Sequence, residues 1–230
     1  MQLECKNLQY QYPGTSIHVF KALSFNLPGP GFHALFGPSG VGKTTLAKMI
    51  CGNIKGLNGE VHTSRMSRIL YTHNLERLPG WSSVREHFEF NTPEANKNIV
   101  PELIEAFGIQ ALMDSRFAQL SLGQKNRTNL TRYLLQDFDL LIMDESLANV
   151  DELTKEKIIL KIKAMFPDRA FLYISHNVVE VAKFCKHILV LRSHHKDPQA
   201  VTLEGRNYQD GYSLDNKSLE QTMLEIVNAS

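Results

Sequence analysis

The sequence predicts an α/β fold, with a mostly parallel sheet, helices between its strands, and a ligand site along the carboxyl edge of the sheet. Three observations lead there. The runs Phe32–Phe36, Leu140–Met143 and Ala170–Ile174 are apolar almost throughout, which suits strands buried on both faces. Segments with helical spacing lie between the runs. Leu130, Leu134 and Leu135 share one side of 124–135, and Leu153, Ile158, Ile159 and Ile162 are expected to point inward along 151–165. Residues suited to phosphate and metal chemistry then follow directly on the runs: Gly37–Thr45 after the first, Asp144-Glu145 after the second, Ser175-His176 after the third. In open α/β sheets, ligands bind at such strand ends.

In chain order, Leu3–Leu8 alternates and reads as a strand, and Pro13-Gly14 marks a turn. Tyr10 and Tyr12 stand just before that turn; they suit packing, or one of them suits stacking on an adenine ring. His18–Leu27 reads as a second strand, and Pro28–Gly31 forces a turn before Phe32–Phe36. Gly37-Pro38-Ser39-Gly40-Val41-Gly42-Lys43-Thr44-Thr45 then fits the phosphate-loop pattern G-x-x-x-x-G-K-T. Its glycines let successive N–H groups turn toward phosphate oxygens, and the helix that follows adds unpaired donors and partial positive charge. In such a loop Lys43 bridges the β- and γ-phosphates and the Thr44 hydroxyl holds Mg²⁺.

The helix Leu46–Ile50 stops near Gly52 or Gly56, and Glu60–His62 and Arg68–Tyr71 read as short strands. From about residue 75 to 119 the character changes, with Pro79, Pro93, Pro101 and helical patches at 84–90, 102–107 and 109–113. This reads as a small helical insertion in the α/β core. Leu120–Gln124 opens the next helix with Ser121 and Gly123, a pattern that fits an ordinary cap or an anion-binding N-terminus. Asp139–Glu145 is a strand ending in two acids. Asp144 suits a Mg²⁺ water shell and Glu145 a general base for attack on a γ-phosphate. Val178–Phe184 is a helix, His187–Leu191 a strand and Leu214–Val227 a terminal helix. His194-His195 suits a solvated loop rather than a metal site, because no second ligand pair accompanies it.

A chain of 230 residues accommodates one large domain, alone or with a small subdomain. A net charge of +1 argues against bulk nucleic-acid binding, so no nucleic acid is expected as a partner. No apolar run approaches the roughly 20 residues of a membrane span. Residues 1–5 have neither the basic start nor the apolar core of a signal peptide. Cys5, Cys51 and Cys185 are few, distant and odd in number, which points to a reducing, cytoplasmic compartment.

In their order, these motifs resemble the ATP-binding subunit of ABC transporters over roughly residues 1–192. The matching features are the phosphate loop, a signature at Ser121–Gln124, the Walker B pair Asp144-Glu145, a D-loop at Leu147–Asp151 and a switch histidine at His176. The resemblance implies a P-loop NTPase fold of the ABC ATPase type over 1–230. It has an N-terminal antiparallel β subdomain, a helical subdomain at about 75–120 and a tail at about 193–230 ending in a helix. It implies ATP and Mg²⁺ as ligands and a head-to-tail pair of subunits, most simply two copies of this chain. Tyr12 would stack on adenine. Ser121, Gly123 and Gln124 would face the nucleotide held by the partner, and Asp151 would act across the interface. Glu145, His176 and Lys43 would serve hydrolysis. Membrane permease subunits would dock on the helical insertion, placing the chain on the inner face of the cell membrane.

Residues 78–84, L-P-G-W-S-S-V, resemble the segment of the nitrate, sulfonate and taurine importer group; Trp81 there suits an interface or the core. Three departures stand out. Leu122 replaces the glycine of the usual signature, His73 or Asn74 stands for the Q-loop glutamine, and Ser146 replaces a proline. Two other functions fit the same motifs: a soluble remodelling ATPase without a membrane partner, and a regulatory subunit that binds ATP and hydrolyses it poorly.

Overall fold

Alternation along the first strand places Leu3, Cys5 and Leu8 on one buried face. That face belongs to a three-stranded antiparallel sheet in the order β2-β1-β4, formed by β1 (Gln2–Gln11), β2 (His18–Pro28) and β4 (Asn58–Ser64). This computed structural model describes residues 2–74 and 76–230. Met1, and Leu75 at the start of the expected insertion, lie outside the described residues. The chain packs as two units. One comprises Met1–Tyr71, Asp139–Asp144 and Phe166–Ser230; the other comprises Thr72–Phe138 and Glu145–Met165.

A six-stranded sheet has the order β5-β6-β7-β3-β8-β9. Its strands are β3 (Gly31–Phe36), β5 (Ile69–His73), β6 (Leu140–Asp144), β7 (Ala170–Ile174), β8 (His187–Leu191) and β9 (Ala200–Glu204). The β3/β7, β3/β8 and β6/β7 pairs are parallel, and β9 joins β8 antiparallel. Every residue of β6 and β7 is buried, as continuous apolar runs require. Helix α1 (Lys43–Ile50) buries Leu46, Ala47, Met49 and Ile50 in a core that includes residues of both sheets. Leu35 and Asp144 both stand opposite Ile174. The register therefore brings the starts of the phosphate loop and of the Ser175-His176 segment to one edge with Asp144.

The second unit contains α2 (Val84–Asn91), α3 (Val100–Ala106), α4 (Leu122–Leu134) and α5 (Glu152–Met165). Local chemistry starts each helix. Ser83 and Glu86 form a capping box on α2, and Pro101 occupies the first turn of α3. The expected patch at 109–113 is one 3₁₀ turn, Gln110–Leu112. Lys161 pairs with Glu102 at 2.6 Å, joining α5 to α3.

Leu153 corrects the expectation for α5. It is 77 % exposed, whereas Ile158, Ile159 and Ile162 are fully buried. At about 100° per residue, positions five, six and nine residues further on centre on the side opposite Leu153. The segment is apolar at both ends of the comparison, but its phase excludes Leu153 from the inner face. Trp81 is 81 % exposed, which removes the core as its role.

The two remaining helices belong to the first unit. Asn177 caps α6 (Val178–Phe184), and Asp215 caps α7 (Asn216–Ala229), so the terminal helix runs two residues beyond the expected end at Val227. All three cysteines are free thiols. Burial pushes the Cys5 and Cys51 thiols up to about 12, so neither is a nucleophile at neutral pH.

Candidate nucleotide site

The phosphate loop joins β3 to α1. Gly37, Pro38, Ser39, Gly40 and Val41 form its turn, and Gly42 caps the helix at φ 107°. A Cβ on Gly42 would meet Val19 Cγ1 at 2.7 Å and Phe20 Cζ at 2.9 Å, so both conformation and space require glycine there. Lys43 is buried, and its Nζ donates to the carbonyls of Gly37 at 2.8 Å and Pro38 at 2.9 Å. Its ammonium thus lies on the loop whose N–H groups would receive phosphate. Beside the loop, a cavity of about 250 Å³ opens between Ile17–Val19 and Pro38–Val41.

Thr44 Oγ1 donates to Asp144 Oδ2 at 2.8 Å, linking the start of α1 to the end of β6. The same carboxylate oxygen accepts from the Tyr71 hydroxyl at 2.9 Å. Thr45 Oγ1 and the Tyr12 hydroxyl share a hydrogen bond of 2.5 Å. The Tyr12 ring meets Tyr10 edge to face at 5.1 Å and is 45 % exposed. It is therefore anchored to the loop while still presenting ring surface.

His176 is exposed just beyond β7. Its loop is held by Glu180, a buried carboxylate that accepts from Tyr173 Oη at 2.7 Å, Ser175 Oγ at 3.0 Å and Asn177 Nδ2 at 3.1 Å. Burial, reinforced by Glu180, raises the Tyr173 phenol well above its usual value, so it remains a donor. In the same unit, burial lowers His33 to about 4, against a smaller upward effect of the Gly29 carbonyl. Its ring stacks on His187 at 5.3 Å, and it takes the place of an apolar residue in β3.

The second unit carries the remaining motif residues. Ser121 caps α4: its Oγ accepts from Gln124 N at 3.3 Å, while Gln124 Oε1 accepts from Ser121 N at 2.8 Å. The helix cap expected from the sequence is thus formed, and the serine proton is left to donate. Gly123 packs so closely that a Cβ would lie 2.3 Å from the Asn149 carbonyl oxygen. Asn126 Nδ2 donates to Ala148 O at 2.6 Å and to Asn74 Oδ1 at 3.2 Å, tying the D-loop and the Q-loop position to α4.

Of the two residues that could stand for the Q-loop glutamine, His73 donates from Nδ1 to the next residue's carbonyl, Asn74 O, at 2.7 Å, and Asn74 is the one bonded to Asn126. Ser146 Oγ donates to Thr72 O at 3.2 Å, a bond that proline could not make. Asp151 Oδ1 accepts from Thr154 N at 2.9 Å, and this bond holds its carboxyl below the usual range. Glu145 and Asn149 take φ of 51° and 62°, in the left-handed region that L-residues occupy at a cost.

Tyr71, Glu180 and Asn126 escaped the sequence reading. Tyr71 was legible only as a strand residue. Glu180 left a faint signal, one acid on an otherwise apolar turn, Val179–Ala182.

Residues 20–148 match the ABC transporter family. The chain belongs to the ABC transporter family. A molybdenum import ATP-binding protein, ModC, of Thiobacillus denitrificans is 31 % identical, with 84 % of this chain and 58 % of that protein covered. ModC of Pseudomonas savastanoi pv. phaseolicola is also 31 % identical, with coverage of 81 % and 56 %. The chain spans about half the length, or less, of the curated relatives it matches. These relatives are named for molybdenum import, which replaces the nitrate, sulfonate and taurine group expected from 78–84; that short segment is too small a part of the chain to set the subgroup. Among solved structures, one titled as the ATP-binding subunit of an ABC transporter has a TM-score of 0.80 at 20 % identity, covering 99 % of this chain and 100 % of that one. It shows the shared fold, a P-loop NTPase of the ABC ATPase type. Among the described residues, no helix is long and apolar enough to cross a membrane.

Proposed function

We propose that the chain is the ATP-hydrolysing subunit that powers an ABC transporter. The observation that carries this reading is the link between phosphate loop and sheet, Thr44 on the buried Asp144 at 2.8 Å. A hydroxyl and a carboxylate are hard oxygen donors. The pair therefore suits Mg²⁺, which takes few protein ligands and keeps waters and phosphate oxygens as its others. When bound there, Mg²⁺ supplies neutralisation of charge on the β- and γ-phosphates.

In this reading the N–H groups of Gly37–Thr45 hold the phosphates, and Lys43 leaves the Gly37 and Pro38 carbonyls to reach them. Tyr12 offers its ring to the adenine. Glu145, next in the chain after Asp144, takes the proton as water attacks the γ-phosphorus and the bond to ADP breaks. His176 donates to the γ-phosphate. Ser121, Gly123, Gln124 and Asp151 face the nucleotide of a second copy arranged head to tail. Permease subunits dock on the helical unit at the cytoplasmic face of the membrane. The names of the relatives favour import as the direction.

Glu145→Gln protein tests the reading. It is expected to bind Mg-ATP, accumulate as a dimer in size-exclusion chromatography and recover a polytopic membrane protein from solubilised membranes of its host. A monomer in saturating Mg-ATP would refute the sandwich. Recovery with soluble partners alone would refute the transporter role and favour a remodelling ATPase.

A further inference from the structure

We infer that Tyr71 is a positioning residue for the Mg²⁺ site, its phenol holding the Asp144 carboxylate in the orientation that receives the metal's water shell. The inference rests on the nucleotide reading above.

Tyr71 lies on β5, which neighbours β6 in the sheet, so its hydroxyl reaches the carboxylate at the end of the adjacent strand. The bond is 2.9 Å long, to Oδ2, the oxygen that also accepts from Thr44 at 2.8 Å. An aspartate held by one donor can rotate about its Cβ–Cγ bond. Two donors from different elements, converging on one oxygen, fix the carboxylate plane and leave Oδ1 for a metal-bound water. Thr44 is itself a metal-binding group in this reading, so its hydroxyl must serve both cation and carboxylate. Tyr71 is not a metal-binding group in this reading, so its bond keeps the orientation while Thr44 exchanges partners.

The ring also packs against the core formed by the two sheets. Packing alone would be served by phenylalanine, so the hydroxyl carries the inference. Asp144 is 7 % exposed, and a hydrogen bond to a charged acceptor in such a place is one of the stronger kinds.

The test is binding of a fluorescent ATP analogue to the full chain, with and without Mg²⁺, in wild type, Tyr71→Phe, Asp144→Asn and the double variant. Tyr71→Phe is expected to keep the metal-free affinity and to raise the Mg²⁺ concentration for half-maximal effect by about tenfold or more, the lower edge of what one hydrogen bond to a charged group contributes. In the Asp144→Asn background the same change is expected to have little further effect, because the carboxylate it orients is gone. An unchanged Mg²⁺ midpoint in Tyr71→Phe would overturn the inference. So would equal losses with and without metal, which indicate general damage, or an undiminished effect in the double variant. A wild-type chain that binds no nucleotide at all would refute the functional reading itself.

Discussion

Replacing Gly123 by alanine probes the joint between the signature and the D-loop. Gly123 is the second residue of α4, where alanine is intrinsically favoured over glycine by up to about 1 kcal/mol. On that ground alone the variant would be more stable. Here, however, the new Cβ would lie 2.3 Å from the carbonyl oxygen of Asn149 and 3.3 Å from its carbon. Relief to ordinary van der Waals distance requires about 1 Å of movement. The obstructing atom is main chain, so no rotamer change removes it.

The D-loop is also poorly placed to yield. Asn149 already holds φ at 62°, and the neighbouring Ala148 carbonyl takes a 2.6 Å bond from Asn126. Overpacking costs about 1–3 kcal/mol, and weakening that bond adds about 1 kcal/mol. After the helix-propensity gain, the variant should be less stable by about 1–3 kcal/mol. Urea unfolding followed by circular dichroism measures it. A Gly123→Ala protein as stable as wild type, or more so, would show that the Asn149 carbonyl does not pack on α4, and would refute the argument.

Two further predictions concern groups away from the phosphates. His33 titrates at about 4 in the folded chain, well below the ordinary 6.5, so the unfolded state binds more protons between those values. Its contribution is fully present above about pH 6.5 and is lost as pH falls toward 4, a change of about 3 kcal/mol. His33→Leu should therefore flatten the acid limb of stability measured at pH 7, 5 and 4, and parallel limbs would count against it. Glu180→Ala would strand the three donors from Tyr173, Ser175 and Asn177, costing about 2–4 kcal/mol in chemical unfolding. Glu180→Gln, which keeps an acceptor, should lose less; equal losses would mean that the carboxylate network is not what holds the loop of His176.

What the sequence determined by itself was the set of features encoded locally. The phosphate loop is legible because nine successive residues must include glycines where the backbone turns and a lysine and threonine where the helix begins. The strands β6 and β7 are legible because four and five apolar residues in a row have few other places to go. Asp144 and the start of the Ser175-His176 segment could be assigned to one edge because parallel strands align their carboxyl ends.

The tertiary structure decided which side chains meet. Thr44 and Asp144 bond across 100 residues of sequence, and Tyr71 reaches the same oxygen across 73. Nothing in strand periodicity selects the polar tip of that tyrosine over its ring. The close approach of Gly123 to Asn149 is equally silent in sequence, since glycine there also reads as an ordinary signature residue. Leu153 shows the limit from the other side: its apolar character is local, but its exposure follows from the phase of α5. Side-chain type and spacing are local properties of a chain, whereas hydrogen bonding and close packing depend on distances that only folding sets.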